Sequence, residues 1–482
     1  MKNIYEKVFI VFLVAITLFF AAYKLTESPP TWFDEGFVIQ SAENLVNDGI
    51  MGIKIEPDLI VHNATFFSTG FPLAYPVGWA MELFGRGLLP ARSVMVLFTI
   101  LLVLLCYFLA KKIWGFKIAA FSSLLLVGFA PLYGNGRNVL GEVPGVFFLV
   151  LFLYYLYKIE KKKFVGSYSD YIMAGLSVAL CLSTKSIFLV LPLAVILALI
   201  IFYKNIAWDW RRILAGLAAG SVVIAVLLKT QFLGGGPLVD VLRDYANPYA
   251  VGDMSVLVWQ NIKRFFTEGT PIYLLGTMLI WLLSLAIRKI RSETTSLTEI
   301  VSFFFSLFIC LSYLRMVGWY RYLFAAQILS LLFLPASSLI MFEWLKSKFA
   351  WSRNINIKIV FILFGVLIGA QFLYLHYFSW TASYYYSRAT SSLENYFNRI
   401  DFSEKIFLYN SPEIATFLPS KNYYQYLKIN DELILGQDQL KQITVGVPNK
   451  VIVNNKEASV MADFPLYQEA GAVSRYLIFE KK

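Results

Sequence analysis

Thr31-Trp32-Phe33-Asp34-Glu35-Gly36 sets two adjacent carboxylates a few residues beyond an apolar run that extends from about Val8 to Leu25. A helix rises about 1.5 Å per residue and needs about 20 residues to cross the hydrocarbon, so that run is long enough for a membrane span. Asp34 and Glu35 then stand at the far water interface. A carboxylate pair in a soluble loop is ordinarily just solvated. Here Pro29 and Pro30 restrict the chain on one side, and Trp32 and Phe33 mark an interfacial belt. The rest of the chain reads as scaffolding around that pair.

Composition supports this reading. Hydrophobic residues make up 58% and charged residues 15% of the chain, and the mean hydropathy is +0.63, which describes a polytopic membrane protein. The formal net charge of +11 could suggest nucleic acid, but the Lys and Arg residues fall in short clusters between apolar runs and not on one basic face. No nucleic-acid partner is expected. Cys106, Cys181 and Cys310 all lie in apolar runs without metal-ligand spacing and read as small apolar fillers. Lys2 and Lys7 precede the first run as in a signal peptide. The run is longer than the usual apolar core of about 7–15 residues and lacks a small-x-small end, so it reads as a retained anchor.

Beyond it, residues 26–92 form a long first loop holding Asp34, Glu35, Asp48, Glu56 and His62. Its aromatic content, including Phe66, Phe67, Phe71, Tyr75 and Trp79, argues against disorder and for short amphipathic helices on the membrane surface. Ten further apolar runs follow, at 94–110, 118–133, 143–157, 171–183, 187–203, 213–228, 272–287, 300–317, 322–345 and 357–378. The expectation is an all-α polytopic membrane domain over residues 1–378 with about eleven spans, some tilted, paired or re-entrant. Basic clusters at Lys2/Lys7, Lys111/Lys112/Lys117, Lys158 with Lys161/Lys162/Lys163, Lys204/Arg211/Arg212, Arg288/Lys289/Arg291 and Lys346/Lys348/Arg353/Lys358 fall on alternate connections. The positive-inside rule makes those ends and the N-terminus cytoplasmic, and puts the Asp34 loop and the tail outside. Residues 379–482 read as a small extracytoplasmic α/β domain. Its strands are expected at Lys405–Tyr409, Tyr423–Ile429, Lys450–Asn454 and Arg475–Phe479, with a short helix at Pro412–Leu418.

That sorting leaves Arg137, Lys185, Arg315 and Arg321 at the outer ends of separate spans. A charge at the bilayer centre costs about 2.5–3.5 kcal/mol on insertion scales, so such residues snorkel or face a polar cavity. Four on one side, opposite Asp34, Glu35 and Glu142, fit a shared anionic site, and a phosphate suits them electrostatically.

Several segments resemble the GT-C glycosyltransferases of the dolichyl-phosphate-mannose protein mannosyltransferase and aminoarabinose-transferase type, which take a sugar from a polyprenyl-phosphate donor. The acidic pair of Trp32-Phe33-Asp34-Glu35-Gly36 follows the first span, and Gly70-Phe71-Pro72-Leu73-Ala74-Tyr75-Pro76 precedes the second. Gly136-Arg137-Asn138-Val139-Leu140-Gly141-Glu142-Val143-Pro144, Ser183-Thr184-Lys185 with Leu191-Pro192, and Arg321-Tyr322-Leu323-Phe324 supply the remaining elements in order. The late motif carries Ala325-Ala326-Gln327 where a proline is common in the family, so the resemblance supports the donor half of the reaction better than the acceptor half.

The resemblance implies Asp34 as general base, with Glu35 and Glu142 as orienting groups. It implies Arg137, Lys185, Arg321 and Tyr322 as contacts to the donor phosphate or sugar. The physical demands agree: a departing phosphate leaves as an anion and needs positive charge, and the attacking hydroxyl or amine needs one base. Expected partners are the lipid-linked sugar donor, an acceptor protein, lipid or glycan, and the bilayer. A divalent ion such as Mg²⁺ or Mn²⁺ on Asp34, Glu35 and Glu142 stays open, although no closely spaced ligand motif supports it. His62 and His376 read as interfacial, Asn63-Ala64-Thr65 is a glycosylation sequon by pattern, and Gly234-Gly235-Gly236-Pro237 reads as an ordinary turn. The competing class is a transporter or lipid-linked-sugar flippase, but the paired broken halves typical of transporters are not found.

Overall fold

Every one of the eleven apolar runs folds as helix, because continuous apolar sequence in lipid must satisfy its backbone internally. The structure, a computed structural model, describes residues 2–62, 68–206, 208–232, 253–349, 356–379, 381, 386–401, 403–418, 421–430 and 433–482. The sequon, Phe66, Phe67 and the glycine run after Phe232 lie outside the described residues. Among those residues the helices are α1 Lys2–Ala22, α2 Phe33–Asn47, α3 Phe71–Phe84, α4 Leu88–Trp114, α5 Phe116–Val127, α6 Ala130–Gly136, α7 Glu142–Lys161 and α8 Tyr168–Thr184. They continue with α9 Leu191–Phe202, α10 Trp210–Leu227, α11 Met254–Thr267, α12 Gly269–Ile290, α13 Leu297–Tyr313, α14 Phe324–Lys348, α15 Lys358–Phe378 and α16 Ala389–Phe397.

The expected eleven spans reduce to seven helices long and apolar enough to cross a membrane, or eight if α5 and α6, bent by 61°, count as one. The three remaining runs fall short. α8 and α13 have 17 residues each, and the run Ser186–Phe202 begins as a 3₁₀ turn before α9. The breaks follow local chemistry. Pro131 opens α6 just after the Gly128–Phe129 bend. α8 unwinds at Lys185, which is extended (φ −157°, ψ 140°) and pairs antiparallel with Thr69.

α8 packs against α7 and α10, α4 against α5 and α7, and α12 against α14. The α8–α10 approach depends on small residues: a Cβ on Gly175 would run into the backbone of Gly216, and one on Gly220 would stand 3.0 Å from the Gly175 carbonyl. The two ends of the bundle differ in kind. At one end Glu6 pairs with Lys111, Asp170 with Lys158 and Lys162, and Glu299 with Arg288. At the other lie Asp34, Arg92, Glu142, Lys185 and Arg321.

The first loop is only partly what its aromatics suggest. α3 leaves Trp79, Leu83 and Phe84 exposed, as a surface helix does. α2 is instead buried along Glu35–Leu45, and between α2 and α3 the chain forms an antiparallel hairpin of β1 Ile53–Glu56 and β2 Leu59–Val61. The tail folds as expected into a mixed sheet. β3 Ile406–Tyr409 lies parallel to β4 Tyr423–Lys428 and to β6 Lys450–Asn454. β8 Tyr476–Lys481 runs antiparallel beside β6, β7 Tyr467–Val473 lines its outer edge, and β5 Ile434–Leu435 closes the other edge. β5 and β7 escape the sequence reading; β7 is Gln468-Glu469-Ala470-Gly471 through much of its length and shows no apolar alternation.

This domain sits directly on α2. A Cβ on Gly36 would overlap the backbone of Glu413, in the 3₁₀ turn Pro412–Phe417. Arg475 donates from Nη2 to the Thr31 carbonyl (2.7 Å) and to Glu413 Oε1 (2.8 Å), and Tyr476 donates to the same carboxylate. Gln425 links Gln40 (3.1 Å) to the Lys54 carbonyl (2.7 Å).

Candidate active site

The turn into α2 begins at Trp32, extended at φ −148° and ψ 174°, and puts Asp34 and Glu35 in the first helical turn without a side-chain cap. Carboxylates there are favoured by the helix dipole. The two then part. Glu35 is fully buried and accepts a two-pronged ion pair from Arg92, Nε to Oε1 at 2.8 Å and Nη2 to Oε2 at 2.7 Å. Its Oε1 also accepts the Val139 amide (3.0 Å), while Arg92 donates to the Leu25 carbonyl (2.7 Å) and to Asn138 Oδ1 (3.2 Å). Glu35 therefore ties α2 to α4 and to the loop after α6. Both of its oxygens are engaged inside the protein, and neither is exposed.

Asp34 points the other way, with its side chain 39% exposed, and its Oδ2 lies 2.8 Å from Arg321 Nη1. The Arg321 Nε is 3.9 Å from Glu142 Oε1, which in turn accepts a hydrogen bond from Lys185 Nζ at 2.6 Å. Asp34, Arg321, Glu142 and Lys185 thus form one chain of alternating charge. The Arg321 guanidinium also lies over the rings of Trp32 (5.1 Å), Tyr322 (5.4 Å) and Trp319 (6.0 Å), a set of faces that favours a cation.

Lys185 reaches this chain because the break after α8 is stitched to the segment before α3. Gly70 donates its amide to the Thr184 carbonyl (3.0 Å) and Ser186 donates to Ser68 (3.2 Å). A Cβ on Gly70 would overlap the Ser183 carbonyl, and one on Gly141 would crowd Lys185 Cβ at 3.2 Å. Irregular backbone at this depth is tolerated where it is buried in protein or lines a cavity.

Several polar atoms here are buried and lack an aligned hydrogen-bond partner among the described residues: Glu142 Oε2, Arg321 Nε and Nη1, Trp32 Nε1 and Ser183 Oγ. Arg321 Nη1 is close to Asp34 but not aimed at it. Buried groups of this kind ordinarily find partners, so their concentration along one chain of charges marks a place for a polar ligand.

Arg137 does not join them. It is fully buried and spends its guanidinium on carbonyls, Nε and Nη2 on Phe20 (3.0 and 2.6 Å), Nη2 on Tyr23 (2.9 Å) and Nη1 on Ser28 (2.9 Å). It ties the last turn of α1 to the segment that follows it, a role that a resemblance of motifs cannot distinguish from phosphate binding. Arg315 is exposed. Tyr322 is buried with its ring beneath Arg321. His62 Nδ1 stands 2.6 Å from the Met51 carbonyl, and His376 packs on Tyr377 at 4.6 Å. Among the described residues no three His, Cys, Asp or Glu side chains gather where they could hold a metal ion, and Glu35 is committed to Arg92. Arg92, which fixes Glu35, and Trp319, at Arg321, go unassigned in the sequence reading, and Trp32 is read there only as interfacial. Arg92 carries the signal used for the others, a basic residue at the Asp34 end of a span.

A profile of the family described as dolichyl-phosphate-mannose-protein mannosyltransferase matches residues 71–228, which include Arg92, Arg137, Glu142 and Lys185. Among solved structures, ArnT from Cupriavidus metallidurans in the apo state aligns with a TM-score of 0.64 at 13% identity, covering 98% of this chain and 98% of that one. The same protein bound to undecaprenyl phosphate aligns at 0.62 and 14%, covering 97% of each. The fold is that seen in ArnT. The profile covers about a third of the chain and agrees with the motif resemblance over that stretch. The oligosaccharyltransferase AglB from Archaeoglobus fulgidus, in complex with an inhibitory peptide and a dolichol-phosphate, aligns at 0.55 and 11%, covering 96% of this chain and 70% of its own. Another structure of that enzyme, a complex with Zn and sulfate, aligns at 0.52 and 12%, covering 95% and 69%. No curated protein sequence matches the chain.

Proposed function

We propose that the protein transfers a sugar from a polyprenyl-phosphate donor to an acceptor hydroxyl or amine, with Asp34 as general base and with Arg321 and Lys185 receiving the donor phosphate. The observation that carries this reading is the run of alternating charge Asp34–Arg321–Glu142–Lys185, whose guanidinium is close to both acids without an aligned hydrogen bond to either. Two cations there face two carboxylates. A phosphate that takes the guanidinium therefore competes with Asp34 and Glu142 and releases Asp34 to accept a proton.

The attacking oxygen or nitrogen then bonds to the anomeric carbon and passes its proton to Asp34. The bond to the phosphate oxygen breaks, and the phosphate departs as an anion beside Arg321 and Lys185. Positive charge fixed in advance stabilises that departure without a general acid. A single displacement of this kind inverts the anomeric carbon. Glu142 holds both cations in place, and Glu35 and Arg137 belong to the scaffold. The undecaprenyl-phosphate complex of ArnT supports a lipid phosphate as the donor's carrier. The basic clusters at the opposite end support an extracytoplasmic site by the positive-inside rule.

The test is turnover of a polyprenyl-phosphate sugar by the purified protein. Asp34→Asn is expected to lower the rate by about 10²–10⁴-fold, the usual worth of a general base, with thermal stability unchanged. An undiminished rate removes Asp34 from the mechanism. Movement of intact donor across vesicles without its consumption favours a flippase instead.

A further inference from the structure

The C-terminal domain contains a cleft of about 300 Å³, far along the chain from the charged run just described. It lies where a parallel sheet is expected to hold a ligand. From β3 the chain goes first to β4 on one side and later to β6 on the other, and the cleft opens beyond the carboxyl ends of these three strands. Ligands of open α/β sheets bind in that crevice. Its volume is at the lower end of small-molecule sites, which run from about 300 to 1,000 Å³.

The lining has a particular chemistry. Tyr409 and Tyr426 line it and stack on each other at 4.9 Å with an interplanar angle of 26°, Tyr426 buried and Tyr409 half-buried. Asn410 is held between them and the next element, donating from Nδ2 to Glu457 Oε1 (2.8 Å) and accepting the Lys428 amide (3.0 Å). The other Glu457 oxygen, Oε2, is buried and has no hydrogen-bond partner among the described residues. Lys428 and Lys456 stand at the rim. A buried carboxylate oxygen without a donor is costly unless a ligand supplies one.

We propose that this cleft is a saccharide-binding subsite. A pyranose has an apolar face to lie on a tyrosine ring and hydroxyls to donate to Glu457 and to accept from the lysines. The alternatives fit less well. A lipid chain needs an apolar lining, and an extended peptide needs an unpaired strand edge, whereas β3, β4 and β6 are each paired on both sides.

The cleft is also close to the charged run. Asn410 is three residues from Glu413, whose backbone touches Gly36, two residues from Asp34. At about 3.3–3.6 Å per extended residue, the backbone path between cleft and Asp34 is at most roughly 20 Å. The bound saccharide is therefore part of the acceptor; only this last step rests on the transferase reading.

Saturation-transfer NMR of the full-length protein in nanodiscs, with free mannobiose and free chitobiose as probes, tests the subsite. At least one probe is expected to bind, with the signal reduced fivefold or more in Tyr426→Ala and in Glu457→Gln and kept in Arg321→Ala. The exposed Lys456→Ala, which removes no packing, is expected to weaken binding about threefold. Silence from both disaccharides overturns the proposal, and so does a signal that survives Tyr426→Ala and Glu457→Gln but disappears in Arg321→Ala. Binding in the cleft without turnover of any lipid-phosphate sugar would sink the transferase reading and leave the subsite standing.

Discussion

Asp34 and Glu35 are neighbours in the chain but about 100° apart around a helix, and that angle separates their roles. Asp34 turns toward Arg321, and Glu35 turns into the protein toward Arg92. The acidic pair was visible in the sequence. The division between them was not, because it depends on which neighbour each meets across a distance of many residues. Arg137 shows the same limit from the opposite side. A cation at the end of a span satisfies a motif equally well whether it meets a phosphate or backbone carbonyls at the end of α1. Removing one partner of a fully buried, two-pronged pair leaves an uncompensated charge, at a typical cost of about 3–5 kcal/mol. Glu35→Gln is therefore expected to lower the thermal unfolding midpoint markedly in detergent, whereas Asp34→Asn leaves it in place. Equal midpoints for the two variants would return Glu35 to the reaction.

The helical elements were legible, because apolar runs and basic connections are written locally. How many of them cross a membrane was less so: α8 and α13, at 17 residues each, fall short of a full span. Close packing between elements is harder still to read, since a glycine required for contact looks like any other. Gly175 and Gly365 make a matched pair. A methyl on Gly175 of α8 would strike the Gly216 backbone of α10, whereas one on Gly365 of α15 would meet nothing within 4 Å. Alanine is worth up to about 1 kcal/mol over glycine in a helix interior, so Gly365→Ala is expected to be neutral or stabilising. Overpacking typically costs about 1–3 kcal/mol, so Gly175→Ala is expected to destabilise despite the same gain in propensity. Thermal melts of the two proteins, measured side by side, check the sign of each.

At the scale of the whole molecule, the tail is seated on the helix that carries Asp34. The strands of that domain were legible from their own alternation, but its docking was not, because Gly36 and Glu413 are brought together only by the completed fold. The contact has a charge at its centre. Glu413 is buried against Arg475 and Tyr476, and burial pushes its carboxyl above the ordinary glutamate value in spite of the hydrogen bonds from Tyr476 and the nearby Arg475 guanidinium. The folded state then binds the proton more tightly than the unfolded one. Glu413's contribution to docking is fully present below its unfolded pKa and is lost as pH rises through the folded value. Protection of the α2 amides from hydrogen exchange, corrected for the intrinsic rate, is expected to fall across that window in the wild-type protein. Glu413→Gln, which cannot ionise, is expected to hold its protection constant over the same range. A wild-type profile as flat as that of the variant would show that α2 is held by Arg475 on Thr31 and Gln425 on Gln40 alone, and that the carboxyl under Gly36 has no part in seating the domain.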